Sequence, residues 1–107
     1  MKERKAPMTK IYFERSGGFM GRKVSATFDL KDLPNDQAKL LDELLDDADF
    51  FKLPADLTRP AIPDAFTYNI TVSNGINEHS VRVGDASVPK DLRPLLDELG
   101  RQVRMQR

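Results

Sequence analysis

The sequence predicts an α+β fold: a small antiparallel four-stranded sheet with two helices on one face, in the order ββαββα. Four short segments alternate apolar and polar residues, which is typical of half-buried strands, and two segments carry apolar residues at helical spacing. Because each strand has one apolar face and each helix one apolar stripe, we expect both helices to pack on the same side of the sheet. A length of 107 residues fits one domain with one core.

The first hairpin is predicted from two alternating segments. In residues 10–15, Ile11 and Phe13 fall on one face, and residues 16–18 then break the strand. Residues 22–30 form the second strand. Its apolar face carries Val24, Ala26, Phe28 and Leu30.

The first helix is predicted to begin at Asn35 or Asp36, because either side chain can accept hydrogen bonds from the free amides of the first turn. It ends near Asp49. Its apolar stripe consists of Ala38, Leu41, Leu44, Leu45 and Ala48. Three prolines follow within residues 54–63, and since proline donates no backbone hydrogen bond, we interpret this stretch as a loop.

A second hairpin and a second helix complete the pattern. The third strand spans residues 66–72, the fourth strand includes residues 79–83, and Asn74-Gly75 lies in the turn between them. Pro89 and Pro94 lie where the last helix begins, before backbone amides are used. The stripe of this helix consists of Leu92, Leu95, Leu96, Leu99 and Val103.

Composition argues against several classes of function. The chain has no cysteine and one histidine, His79, so it lacks a thiol nucleophile and the three or four ligands of a zinc site. We expect His79 to be a packed residue. An enzyme would need a cleft that gathers Glu14, Tyr68 and His79. The 17 basic and 17 acidic residues balance, so no nucleic-acid partner is expected.

Residues 1–9 are basic and show no periodicity, so we predict a mobile arm before a single domain over residues 10–107. The basic residues are not followed by the apolar run of a signal peptide. Nor do eighteen apolar residues run together, so no membrane partner is expected. These observations predict a cytoplasmic protein without a metal or other cofactor.

The glycine-rich loop after the first strand is the predicted partner-binding site. It consists of Ser16, Gly17, Gly18, Phe19, Met20 and Gly21. The glycines permit backbone conformations that other residues avoid, and a plain turn does not require two large apolar side chains between them. Phe19 either binds a partner or folds back onto the core, and the sequence leaves both interpretations open. The proline-bearing loop over residues 55–64 is a second candidate contact.

Four segments of the chain resemble the emfourin family, also called protealysin inhibitors. These segments are residues 12–21 (YFERSGGFMG), 44–54 (LLDDADFFKLP), 66–72 and 92–99. The resemblance implies a small bacterial protein that inhibits thermolysin-like zinc metallopeptidases, with the zinc in the partner. It therefore implies a peptidase as protein partner and an inhibitor that acts by occluding the active-site cleft. The alternative is a non-enzymatic interaction module, for example a dimerising adaptor that pairs its edge strands or its polar sheet face with another chain. We accordingly expect a monomer or a weak dimer.

Overall fold

The computed structural model describes residues 9–17, 23–59 and 65–105. Their elements are β1 (Lys10–Gly17), β2 (Val24–Asp29), α1 (Asn35–Ala48), β3 (Asp56–Leu57), β4 (Phe66–Ser73), β5 (Glu78–Gly84) and α2 (Arg93–Met105). Short 3-10 turns follow β2, α1 and β5. The five strands form one mixed sheet in the order β2-β1-β4-β5-β3.

The α+β class, both hairpins and both helices agree with the prediction, but the four-stranded antiparallel sheet was wrong. The predicted break at residues 16–18 was also too early, because Ser16 and Gly17 still pair with Thr67 and Phe66 and belong to β1. A fifth strand, β3, pairs parallel to β5, with Asp56 opposite Arg82 and Leu57 opposite Val83. The amide of Arg82 also donates to the carbonyl oxygen of Ala55 at 2.8 Å. The prolines of this stretch do not prevent the pairing, because the residues between Pro54 and Pro60 keep their backbone donors and acceptors.

Helix α1 begins at Asn35, as predicted, and the Asp36 carboxylate accepts the amide of Gln37 at 2.9 Å, but the predicted N-cap was wrong. The N-cap position is Pro34, which makes no side-chain cap, and Asn35 and Asp36 already lie in the first turn. The carbonyl oxygen of Pro34 accepts the amide of Ala38 at 2.9 Å. Pro34 has extended backbone angles that suit this position, so the helix begins one residue earlier than a side-chain cap at Asn35 would allow. The helix ends where Asp49 adopts a left-handed conformation, with φ of 54°.

The hydrophobic core lies between the sheet and the two helices. The predicted apolar faces of the strands and the leucine stripe of α2 are buried in a single cluster, with Val24, Ala26, Ala38 and Leu44 partly buried against it. Both helices therefore cover the same face of the sheet. On the opposite face, strand residues such as Tyr12, Thr27 and Arg82 remain exposed. No helix within the described part of the chain is long and apolar enough to cross a membrane.

Candidate functional site at one end of the sheet

The predicted binding loop is only partly described. Ser16 and Gly17 are the last two residues of β1, whereas Gly18, Phe19, Met20 and Gly21 lie outside the described residues. The second candidate loop is described over residues 55–59 and lies outside them over residues 60–64. The structure therefore shows the bases of both loops and how the sheet holds them.

Both loops start and finish at the same end of the sheet. Gly17 is paired with Phe66, so the glycine-rich loop leaves β1 beside the residue where the proline-bearing loop enters β4. On the next strand pair, Thr67 lies opposite Gly84, the last residue of β5. Leu57 of β3 pairs with Val83, the residue before Gly84, so the proline-bearing loop also departs at this end. We call this region, formed by the ends of β1, β3 and β5 and the starts of β2 and β4, the loop-bearing end.

Aromatic and basic side chains cluster at the loop-bearing end, on the face that carries the helices. The guanidinium carbon of Arg15 lies 4.8 Å from the centre of the Phe66 ring. The Phe66 ring contacts the Tyr68 ring at 6.4 Å between centroids, and Tyr68 stacks on the buried Phe13 at 6.1 Å. A guanidinium over an aromatic face is attracted by the ring's quadrupole. This stack of rings connects the strand residues beside both loops to the core.

The hydroxyl of Tyr68 is fixed by a second set of polar contacts. It donates to the Asp85 carboxylate at 3.2 Å, and the Arg93 guanidinium donates to the same carboxylate at 3.4 Å and to the Asp85 carbonyl oxygen at 3.2 Å. Partial burial, reinforced by the negative charge of Asp85, raises the pKa of the Tyr68 hydroxyl above its ordinary value. Tyr68 therefore stays protonated and remains a hydrogen-bond donor at neutral pH.

The polar face of the sheet fixes the start of β2 relative to β1. The Glu14 carboxylate accepts a hydrogen bond from the side-chain amide of Asn69 at 3.3 Å and pairs with the Lys23 ammonium at 3.1 Å. Lys23 is exposed, so the ion pair itself stabilises little. The contacts nevertheless link β1, β4 and Lys23, the residue immediately before β2.

The described part of the proline-bearing loop is anchored by side chains. The hydroxyl of Ser87 donates to the carbonyl oxygen of Leu57. The Asp56 carboxylate accepts from the Thr58 hydroxyl at 2.6 Å and from the Thr58 amide at 3.1 Å, and these hydrogen bonds hold the pKa of Asp56 below its ordinary value. The chain therefore leaves β3 with a defined direction before it reaches Pro60.

The structure separates the three residues that an enzymatic cleft would need. Glu14 pairs with Asn69, the neighbour of Tyr68 in β4, so Glu14 and Tyr68 lie on opposite faces of the sheet. His79 shares a face with Tyr68 but lies near the other end of β5, where its Nε2 donates to the carbonyl oxygen of Leu53 at 2.7 Å. Its ring packs edge-on against Phe50 at 5.7 Å. His79 is thus a packed residue, as the sequence predicted.

Within residues 9–17, 23–59 and 65–105, no group of three or more histidine, aspartate or glutamate side chains is arranged to hold a metal ion.

The cluster of Arg15, Phe66, Tyr68, Asp85 and Arg93 was not predicted from the sequence. One signal could have indicated it. Arg15 follows Ile11 and Phe13 at the spacing of two, so it lies in the inward phase of β1, where a charged residue requires a partner.

Comparison with known proteins assigns this chain to a class. The family model named Emfourin matches residues 13–100, so the chain belongs to the emfourin family. Members of this family are peptidase inhibitors and not enzymes, which confirms the prediction of a non-enzymatic protein.

Among solved structures, the chain is similar to emfourin (M4in) from Serratia proteamaculans, an M4 family peptidase inhibitor. The identity is 19%, the TM-score is 0.49, and the match covers 89% of this chain and 90% of that one. A search of curated proteins found no match.

Proposed function

We propose that this chain is a protein inhibitor of a thermolysin-like zinc metallopeptidase and that it occludes the peptidase's active-site cleft. The observation that carries the proposal is the family match, which extends over residues 13–100 and so includes the glycine-rich loop, the proline-bearing loop and most of the strands and helices. In this mechanism the chain supplies no catalytic group. The zinc ion belongs to the partner.

The loop-bearing end is the surface that we assign to the cleft. Two loops leave the sheet there side by side, and their bases are held by backbone pairing at Gly17 and Phe66 and by the Ser87 contact to Leu57. A loop whose ends are fixed loses less conformational entropy when it binds. The surrounding contacts therefore favour a binding surface whose supporting strands are ordered before the peptidase arrives.

The assignment of the predicted anchor to this end rests on the sequence. Phe19 comes two residues after Gly17, the last residue of β1, so we assign it to the surface that enters the cleft. Thermolysin-like peptidases as a class favour large apolar residues after the cleaved bond, and we propose that Phe19 occupies the pocket for that residue. Aromatic anchors in buried pockets usually dominate the energy of an interface.

Titration of a thermolysin-like metallopeptidase with the purified protein tests the proposal. We expect loss of peptide hydrolysis that is complete near one inhibitor per peptidase and is relieved by competing substrate. A serine peptidase assayed under the same conditions is the control and should be unaffected. Full hydrolysis of the peptide in the presence of excess protein would refute inhibition of that metallopeptidase, and the adaptor interpretation would then be favoured if the two proteins still bind.

A further inference from the structure

The strand β2 forms one edge of the sheet, and the hydrogen bonds of its neighbour show which of its backbone groups point outward. The amide of Leu30 donates to the carbonyl oxygen of Thr9 at 3.0 Å, at a position that continues the β1–β2 register. In an antiparallel pair, hydrogen-bonded and non-hydrogen-bonded positions alternate. Alternate residues back from Leu30, namely Phe28, Ala26 and Val24, therefore direct their amides and carbonyls towards β1.

The remaining residues of β2 direct their backbone groups away from the sheet. These are Ser25, Thr27 and Asp29. The same alternation, carried across β1 and β4 to the far side, predicts that Arg82 of β5 points its amide outward, and that amide does donate to Ala55 outside β5. Among the residues that the structure describes, none hydrogen-bonds to the outward backbone groups of Ser25 or Thr27.

The central part of this edge lacks the features that usually prevent an edge strand from pairing with other chains. Protected edge strands are commonly short or carry proline, lysine or a bulge. The charged residues of this edge lie at its ends, at Lys23, Asp29 and Lys31. The five residues from Val24 to Phe28 contain neither proline nor charge, and all five are paired in regular register with β1. The opposite edge differs, because β3 covers part of β5 and has only two residues itself.

We propose that the β2 edge binds the β2 edge of a second copy of this chain, antiparallel and about a two-fold axis at Thr27. Thr27 then lies opposite Thr27 of the second copy, and Ser25 lies opposite Asp29. Both positions are of the kind that exchange two backbone hydrogen bonds, since their amides and carbonyls point outward. The two five-stranded sheets become one continuous sheet with a closed, isologous interface.

The side chains of β2 are complementary to themselves in this register. On the polar face, the Ser25 hydroxyl meets the Asp29 carboxylate and the two threonines form a favourable cross-strand pair. On the other face, Ala26 lies opposite Phe28, so apolar residues continue across the interface. In this register Lys23 lies opposite Lys31 of the second copy, and their repulsion is reduced because each is paired within its own chain, Lys23 with Glu14 at 3.1 Å and Lys31 with Asp29 at 3.0 Å.

The size of the contact sets its strength. Two six-residue strands form an interface smaller than the roughly 1,200–2,000 Å² of stable complexes, so the dimer forms only at high concentration. The antiparallel arrangement places the two loop-bearing ends at opposite ends of the continuous sheet. Each copy therefore keeps its own loops accessible, and dimerisation does not depend on the inhibitory function.

Sedimentation analysis over a wide concentration range tests the pairing without any peptidase. We expect the wild-type protein to dimerise reversibly. The dimer dissociation constant of the Thr27→Lys variant should be about fivefold or more higher, because two lysines would lie directly opposite each other. Thr27→Glu should weaken the dimer in the same way. An equal mixture of the two variants should form a heterodimer at least as stable as the wild-type dimer, because opposite charges then face each other.

A backbone variant provides a second measurement with a matched control. Thr27→Pro removes an outward amide and should abolish dimerisation, whereas Ser80→Pro removes an outward amide on the opposite edge and should leave dimerisation unchanged. If Thr27→Pro does not fold, amide hydrogen exchange of the wild-type protein provides the second measurement. The Ser25 and Thr27 amides should exchange slowly at high concentration and rapidly when the protein is diluted.

Several results would overturn the proposal. The wild-type protein could stay monomeric up to its solubility limit, or the Thr27→Lys and Thr27→Glu variants could dimerise as tightly as the wild type. A mixture of these two variants that forms no heterodimer would also contradict the proposed register. Protection of the Thr27 amide at every dilution would instead show that β2 pairs within its own chain. Protection that appears only in the presence of a peptidase would show that β2 pairs with the target. The last two results would also exclude the second copy as the occupant of this edge.

Discussion

Gly17, the last residue of β1, lies directly against the backbone of Ala65, the residue before β4. A Cβ atom at position 17 would come within 2.8 Å of the Ala65 carbonyl oxygen, and the backbone φ of Gly17 is +94°. Any other residue at position 17 would therefore destabilise the fold. Its backbone would be strained at this φ angle, and its side chain would collide with backbone that cannot move far. The close approach joins the bases of the two loops.

Replacement of Gly17 by Ala is therefore predicted to be costly. We expect the free energy of unfolding to fall by about 1–3 kcal/mol and inhibition to weaken, since the loop bases must separate. Denaturant unfolding and peptidase titration measure the two effects. The matched control is Gly100→Ala, where the nearest atom to the new Cβ is the Arg104 guanidinium nitrogen at 4.0 Å and the helix should gain about 0.5–1 kcal/mol. Equal stability of the two variants would contradict the prediction.

Phe19 lies outside the described residues, and a paired measurement decides between its two interpretations. If Phe19 is the anchor in the peptidase pocket, Phe19→Ala weakens inhibition by about 2–4 kcal/mol and leaves the melting temperature nearly unchanged. If Phe19 packs on the core, the variant loses about 3–5 kcal/mol of stability instead.

Ile76 provides the control for Phe19. It is 90% exposed in the turn between β4 and β5, at the end of the sheet opposite the loops, so Ile76→Ala should change neither inhibition nor melting. If Phe19→Ala behaves like this control, both interpretations of Phe19 fail. The contact would then be assigned to the proline-bearing loop over residues 55–64.

The sequence predicted the elements whose pattern repeats over several residues. Strand β4 and helix α2 were predictable because each presents at least four apolar residues at one period, and Ile70 and Leu96 are accordingly buried. Strand β3 has only two residues, which is too short for any periodicity. It forms because β5 offers an edge beside it, and an edge is a property of the assembled sheet.

The candidate site was predictable only in part, for a related reason. The glycines at positions 17, 18 and 21 indicated backbone conformations that other residues avoid, and Gly17, the last residue of β1, has a φ of +94°. The contact of Arg15 with Phe66 could not be derived, because it depends on the register between two strands that are separated by some fifty residues. Local sequence determines which side of a strand a residue occupies, whereas the register decides which side chain lies opposite.

The apolar stripes of the helices allow a graded test of packing. Leu96 of α2 is 3% exposed, so Leu96→Ala should reduce stability by about 2–5 kcal/mol through lost burial and the remaining cavity. Leu44 of α1 is only partly buried, and its truncation should cost about 1–2 kcal/mol. Leu40→Ala is the exposed control and should stay within about 0.5 kcal/mol of the parent. Thermal melting measures the three variants. A different order of stability loss among them would contradict the assigned helix faces.

A pH dependence is predicted from Glu98 in α2. Its carboxylate accepts from the Arg101 guanidinium at 3.1 Å and from the side-chain amide of the buried Gln102 at 2.7 Å. The hydrogen bond from Arg101, supported by that from Gln102, lowers the pKa of Glu98 in the folded state. A carboxyl whose pKa is lower when folded than when unfolded stabilises the fold fully above its unfolded pKa of about 4.3.

The contribution of Glu98 should therefore disappear as the pH falls from that value through the lowered pKa of the folded state. Glu98→Gln removes the titration, so the free energy of unfolding of this variant should depend less steeply on pH below about 4.3 than that of the parent. Glu43→Gln, on the exposed side of α1, is the control and should keep the slope of the parent. Urea unfolding at a series of acidic pH values measures all three slopes. Parallel curves for the parent and Glu98→Gln would show that the contacts of Glu98 with Arg101 and Gln102 do not contribute to stability.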